Sequence, residues 1–238
     1  MDPDARVYLD AFQTDATPAY ETATNALFLA LKAEAGLFEA IDGLYLPGPS
    51  EQTMLLNAKS PGTYDLTKSG TVTFTPYVSY KGNGVNGQLA TGYNPTTAGG
   101  AWTLNSAHIG MWVLTNLDQV TDVYAAGGLA GMSVRGADNN WYGNLNDAAS
   151  AYSYGSYTGD FVVNRRRSTH REHLHNGGLI QDIIAASTSL ANSQLIFLRG
   201  ASSFSSEEFG PMRFGGGLTS IQISAYFAAL VTWMQDAL

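Results

Sequence analysis

The chain lacks cysteine altogether and has only 4 lysines among 238 residues. The first absence excludes a disulfide framework, a thiolate metal site and a cysteine nucleophile. The second belongs to a wider shortage of positive charge: 12 Lys and Arg stand against 20 Asp and Glu, for a formal net charge of −8. A chain of that sign does not attract phosphate backbones or anionic membrane surfaces, so no nucleic-acid partner is expected. No apolar run reaches the roughly 18 residues of a spanning helix, so no membrane insertion is expected. The acidic start Met1-Asp2-Pro3-Asp4 has no basic n-region, so a secretory signal is not expected either. Also missing are a Gly-x-x-x-x-Gly-Lys phosphate loop, a dinucleotide fingerprint, a Gly-x-Ser-x-Gly elbow and any repeat of constant period.

What is present is β-type. The segment from Tyr80 to Val113 interleaves apolar and aromatic residues with Gly and Asn turns and shows no helical period. Its turns, Gly82-Asn83-Gly84 and Asn86-Gly87, point to positive φ, and His108 to Val113 reads as a buried strand. Further strands are expected at Val72–Phe74, Val123–Ala126, Gly131–Arg135, Asp160–Arg166, Ser168–His175, Leu179–Ile184 and Gln194–Leu198, with Asn176-Gly177 as a hairpin turn. Trp112, Val113, Val162, Leu174, Ile196 and Leu198 are expected between two packed sheets. Residues 1–43 read instead as a helical region: Thr17 caps a helix that begins at Pro18, carries Leu27, Phe28 and Leu31 on one stripe, and ends at Gly36. It serves either as cover for the sandwich or as a docking and oligomerisation element. Residues 44–238 form the main domain, closed by a helix from about Ser220 to Leu238 with Ile223, Tyr226, Phe227 and Leu230 on its apolar side.

The strand and turn pattern resembles the concanavalin A-like lectin and laminin-G group of β-sandwiches. Within that group, Leu44-Tyr45-Leu46, the run Asn57-x-Lys59-Ser60-Pro61-Gly62-Thr63, and the glycine strand leading into a Thr-capped final helix are similar to virion proteins of tailed phages and gene-transfer agents. The resemblance implies a mainly β, concanavalin A-like jelly-roll sandwich with a small N-terminal helical region and a C-terminal helix. It further implies localisation to the virion, as a spike, fibre or decoration on head, collar or tail. The partners would be other virion proteins and host-surface polysaccharide, and the chain would form a homo-oligomer, a trimer by preference. The alternatives are a glycan-degrading or sialidase-like enzyme of the same fold and a purely architectural virion protein.

A glycanase needs two convergent carboxylates, and the Glu-x-Asp-x-x-Glu spacing of such enzymes is absent; of the 7 glutamates, Glu172 has no carboxylate neighbour in its strand and Glu207-Glu208 lie in a Ser-rich stretch. No catalytic residue is therefore assigned. Trp141, Tyr142, Asn144, Asn146, Tyr152, Tyr154 and Tyr157 are the candidate carbohydrate surface, because aromatic faces stack on sugar rings and amides bond hydroxyls, although the tyrosines fit sheet packing as well. Arg165, Arg166, Arg167 and Arg171 are the candidate contact for an anion or a neighbouring subunit. His173 and His175 share a strand face, a spacing open to a metal pair, with Arg171 opposing it by charge. Calcium, common in lectins of the resembled architecture, would find oxygens in Asp138-Asn139-Asn140 and Asn144 to Asp147, without the spacing of a calcium loop. No cofactor is required by any of these readings.

Overall fold

The computed structural model describes residues 1–117, 123–125, 129–136, 138–148, 150–200 and 202–237. Its strands form two antiparallel sheets. Among the described residues, the first sheet has eight strands in the order β13 (Gly178–Ile184), β12 (His170–His175), β11 (Gly159–Arg167), β6 (Ala107–Val113), β15 (Glu208–Gly215), β4 (Ser79–Gly82) and β3 (Val72–Thr75), with β1 (Ile41–Tyr45) also paired to β15. The second has seven, ordered β10 (Ser150–Ser153), β9 (Asn140–Leu145), β8 (Ala130–Ser133), β7 (Val123–Ala125), β14 (Ile196–Phe197), β5 (Gln88–Ala90) and β2 (Thr67–Ser69).

Period-two alternation sends Ile109, Met111 and Val113 of β6, Phe161 and Val163 of β11, and Met212 and Phe214 of β15 toward Met132, Trp141, Leu145 and Phe197 of the facing sheet. The opposite face of the eight-stranded sheet is covered too. Helix α1 (Pro3–Asp10), α2 (Pro18–Ala33) and α4 (Ser220–Asp236) bury Tyr8, Phe28, Leu31, Ile223, Leu230 and Trp233 in one cluster with Val162 and Leu174. A short α3 (Glu51–Leu55) follows β1. Trp112, Val162 and Leu174 thus point to the helices rather than between the sheets, with Trp112 stacked on Phe227 at 5.8 Å. Val113 and Leu198 take the expected inter-sheet places, and Ile196 is half-buried.

The local signals explain the elements. Asp2 caps α1, Thr17 caps α2 with Pro18 at its first position, and a reciprocal Thr219–Gln222 box opens α4. Asn176 and Gly177, at φ 49° and 76°, turn β12 into β13 with His175 opposite Gly178. Gly82 and Gly87 are needed for close approach and not for positive φ: a Cβ would stand 2.0 Å from the Ser205 carbonyl oxygen at Gly82 and 2.1 Å from that of Thr71 at Gly87. Strands β9 and β10 arise where the sequence reads as loop, β15 extends the expected glycine strand back to Glu208, and Ile41, expected in the helical region, opens β1.

Candidate functional site

Strand β9 decides the fate of the proposed sugar platform. Trp141 lies on its inward face, 0% exposed, stacked on His173 with ring centroids 4.5 Å apart and edge-on to Phe161 at 5.1 Å. It is a core residue, and the expectation of an exposed stacking ring is corrected. Asn146 is also 0% exposed: its Oδ1 accepts from Trp102 Nε1 at 3.2 Å and its Nδ2 donates to the carbonyls of Thr103 and Leu104. Asn144 is buried at the end of the same strand, donating to the Asp147 carbonyl. These amides are interior because the fold satisfies them with its own backbone, so polarity did not mark exposure.

The four tyrosines remain half-exposed. Tyr142 lies on the outer side of β9, where its hydroxyl donates to Asp138, which Asn140 also contacts. The bond from Tyr142 holds the Asp138 carboxyl below its ordinary value and pushes the tyrosine up. The Tyr157 hydroxyl donates to the Asn139 carbonyl at 3.2 Å, and the Arg135 guanidinium sits 4.9 Å above the Tyr157 ring. Tyr152 and Tyr154 stack at 6.2 Å beside β10, turned toward β12. In the neutral ring, His175 donates through Nε2 to the Thr158 carbonyl at 2.8 Å, leaving Nδ1 to accept from Tyr154 at 2.8 Å. The structure therefore brings only Tyr142 and Tyr157 together, around Asp138 and Asn139; Tyr152, opposite Trp141 in register, and Tyr154, against His175, lie on the inward side, and Trp141, Asn144 and Asn146 are interior.

The arginine run divides by strand face. Arg165 and Arg171 point between the sheets, both 0% exposed, and share Asp147. Arg165 bonds Asp147 at 2.7 Å and also donates to the carbonyls of Leu145, Arg167, Ser168 and Ala185. Neither is available to an outside anion. On the other side Arg166 is paired with Glu172, and Arg167 with Asp182 at 3.1 Å. Every arginine of the run is thus neutralised by the chain's own carboxylates.

The metal readings meet the same obstacle. Asp147 has both carboxylate oxygens on guanidinium groups, so the Asn144 to Asp147 segment does not fit calcium. His175 is bonded through both ring nitrogens, and His173 is buried against Trp141, its pKa lowered by burial and by Arg171 to about 3. No group of three or more His, Cys, Asp or Glu side chains able to hold a metal occurs among the described residues.

Two features escaped the sequence reading. Asp160 and Arg213 form a buried bidentate pair, 2.7 Å at each arm, under Tyr226 of α4. The signal for it was present only as a charged residue flanking an apolar stretch in each strand, Asp160 before Phe161-Val162-Val163 and Arg213 between Met212 and Phe214. The other is Arg135, held by Asn139 Oδ1 at 2.9 Å and Asn116 Oδ1 at 2.8 Å over Tyr157.

Neither a protein-family model nor a curated protein sequence matches the chain. Solved structures do. The botulinum neurotoxin serotype D binding domain aligns with TM-score 0.58 and 11% identity, over 80% of this chain and 52% of that one. The binding domain of botulinum neurotoxin DC, in complex with rat synaptotagmin II, gives 0.57 and 17% over 81% and 52%. Trypanosoma rangeli sialidase in complex with sialic acid gives 0.60 and 13% over 96% and 37%. The fold is a concanavalin A-like jelly-roll sandwich. The chain spans about half the length of the neurotoxin domains and little more than a third of the sialidase, and at these identities the likeness is one of fold.

Proposed function

We propose that this chain is a surface-recognition sandwich of a tailed-phage or gene-transfer-agent virion, which holds a host-surface glycan without turning it over. The observation that carries the recognition role is the rim: Tyr142 and Tyr157 remain half-exposed beside the exposed acceptors Asp138 and Asn139. The buried carboxylates Asp147, Asp160 and Glu172 are meanwhile each engaged with an arginine, which suits structure better than acid-base work. Support for the virion context comes from the motifs that carry the resemblance, which form a single structural unit. Asn57, 0% exposed, accepts from Leu44 N and Lys59 N and donates to the carbonyls of Asp42 and Thr63, tying β1 to the loop that follows it.

Contact with neighbouring subunits is favoured by a separate observation. Helix α4 holds one charged residue, Asp236, and exposes Ile221 at 67%, while α2 exposes Leu29 at 52%. Binding of the intact chain to host-surface polysaccharide, lost in the Tyr142→Ala, Tyr157→Ala double variant at an unchanged melting temperature, tests the glycan role. A wild-type chain that binds no glycan would leave only the subunit contact, to be read from its mass in light scattering with and without Ile221→Asp.

A further inference from the structure

Two arginines at this end of the sheet meet only neutral partners among the described residues. Of the 8 arginines, five are ion-paired with carboxylates, whereas Arg135 and Arg199 have no such pair among the described residues. Both are built alike. Arg135 lies 4.9 Å over Tyr157 and is held by the side-chain oxygens of Asn116 and Asn139; Arg199 lies 5.6 Å over Phe204 and is held by Gln88 Oε1 at 2.8 Å. Among the described residues each guanidinium is fixed by neutral acceptors and an aromatic face, which orient its charge without an ion pair.

Topology puts them together. Val123 of β7 is opposite Met132 of β8 on one side and Phe197 of β14 on the other, both antiparallel. Arg135 and Arg199 therefore follow β8 and β14 past the same end of the sheet, two strands whose backbones are about 10 Å apart across β7. That end also carries Tyr142, Tyr157, Asp138 and Asn139. Arg6, the remaining arginine, is on α1, far along the chain from this rim.

We propose that this rim binds a carboxylate-bearing polysaccharide, with Arg135 and Arg199 each taking a sugar carboxylate, Tyr142 and Tyr157 supplying ring contact, and Asp138 and Asn139 accepting hydroxyls. The assignment rests on the glycan-binding role proposed above and narrows it to acidic sugars. A planar guanidinium matches a carboxylate in two parallel bonds, and two of them at one sheet end suit a polymer that carries more than one acid. On a chain of net charge −8, such binding needs local fixed cations, because the overall field repels the ligand.

The test uses the full chain in biolayer interferometry against polysialic acid and polygalacturonate, their carboxyl-reduced forms, a neutral galactan and dextran sulfate. The expected result is binding to at least one carboxylate polymer, weakened about tenfold or more by carboxyl reduction and by Arg135→Gln with Arg199→Gln. Thermal melting of that variant should match the wild type. Arg135→Lys should rescue only in part, since an ammonium keeps the charge and loses the two-pronged geometry. Equal binding of native and carboxyl-reduced polymers, or of the neutral galactan, overturns the acidic-sugar assignment while leaving the glycan role standing. Equal binding of dextran sulfate reduces it to unspecific anion attraction and overturns it as well. Failure of every polysaccharide to bind removes both readings.

Discussion

Asp147 is the residue whose loss should be felt most. Its carboxylate lies between two fully buried guanidinium groups and accepts the Leu145 amide at 3.0 Å. Asp147→Asn keeps the shape and one acceptor but removes the carboxylate that Arg165 and Arg171 share. Neither arginine can shed its proton to escape the cost, because guanidinium stays charged at any working pH. At an effective dielectric constant of about 20, each attraction at ~4 Å is on the order of 4 kcal/mol, and without it two like charges are left buried side by side. Removing one partner of a buried pair costs about 3–5 kcal/mol. Against a total stability of about 5–15 kcal/mol, that is a large share. In a chain of this length the melting temperature should fall by roughly 6–20 °C, at 2–4 °C per kcal/mol. Urea unfolding followed by circular dichroism, with the midpoint compared at constant slope, measures it. A variant within about 1 kcal/mol of wild type would refute the idea that Asp147 holds the two arginines in place. The apolar triple, Asp147→Leu with Arg165→Met and Arg171→Met, should recover only part of the loss, because Arg165 also serves four carbonyl oxygens.

Acid should unfold the protein through its buried histidines. His108 and His173 have pKa values lowered by burial to about 3. Each stays neutral when folded and binds a proton near its ordinary value of about 6.5 when unfolded, so their contribution is present above that pH and is lost as pH falls from it toward 3. Two such groups give a slope of about 2.7 kcal/mol per pH unit, and stability that is flat between pH 6.5 and 5 would contradict this. Trp141→Ala should cost about 3–5 kcal/mol, while Tyr142→Ala should cost under about 1; near-equal effects would undo the separation of core from rim. Deleting residues 1–40 uncovers Leu44, Leu46, Val162, Leu174 and Trp233 and should give an aggregating chain, judged by light scattering; a soluble, cooperatively melting sandwich would show that the helices are dispensable. Asp160→Asn should destabilise by about 3–5 kcal/mol, since Arg213 beneath Tyr226 would lose its buried carboxylate partner; an unchanged unfolding midpoint would count against that.

Much of the fold was legible because its signals are local. Thr17-Pro18, the Asn176-Gly177 turn and the alternation from His108 to Val113 each specify an element through caps, φ preference or side-chain period, and each element formed where expected. The site was less legible. Alternation tells which residues share a face, but not what covers that face. In a sheet with one wet side, polar letters mark solvent; here the helices cover the second side of the eight-stranded sheet, and β11 is buried from Asp160 to Arg165 although it carries Asp160, Asn164 and Arg165.

On such a sheet a polar residue is a cross-link and not a surface. Asp160 finds Arg213, Asn164 bonds Leu218, and Arg165 finds Asp147, partners 18 or more residues away, so no short window of residues reveals the match. The same logic reverses the reading of Gly110 and Gly143. A methyl at Gly110 would stand 2.6 Å from the Arg213 guanidinium, and one at Gly143 would stand 2.7 Å from His173 Nε2, so these glycines make room for buried polar groups. The proposed binding is consequently placed at the strand ends, where Arg135 and Arg199 lie beyond the residues that β8 and β14 pair with β7 and meet neutral partners among the described residues. Arginines that meet only neutral partners among the described residues, on a chain that pairs its other strand arginines internally, are the reason the proposed recognition is placed at this loop end.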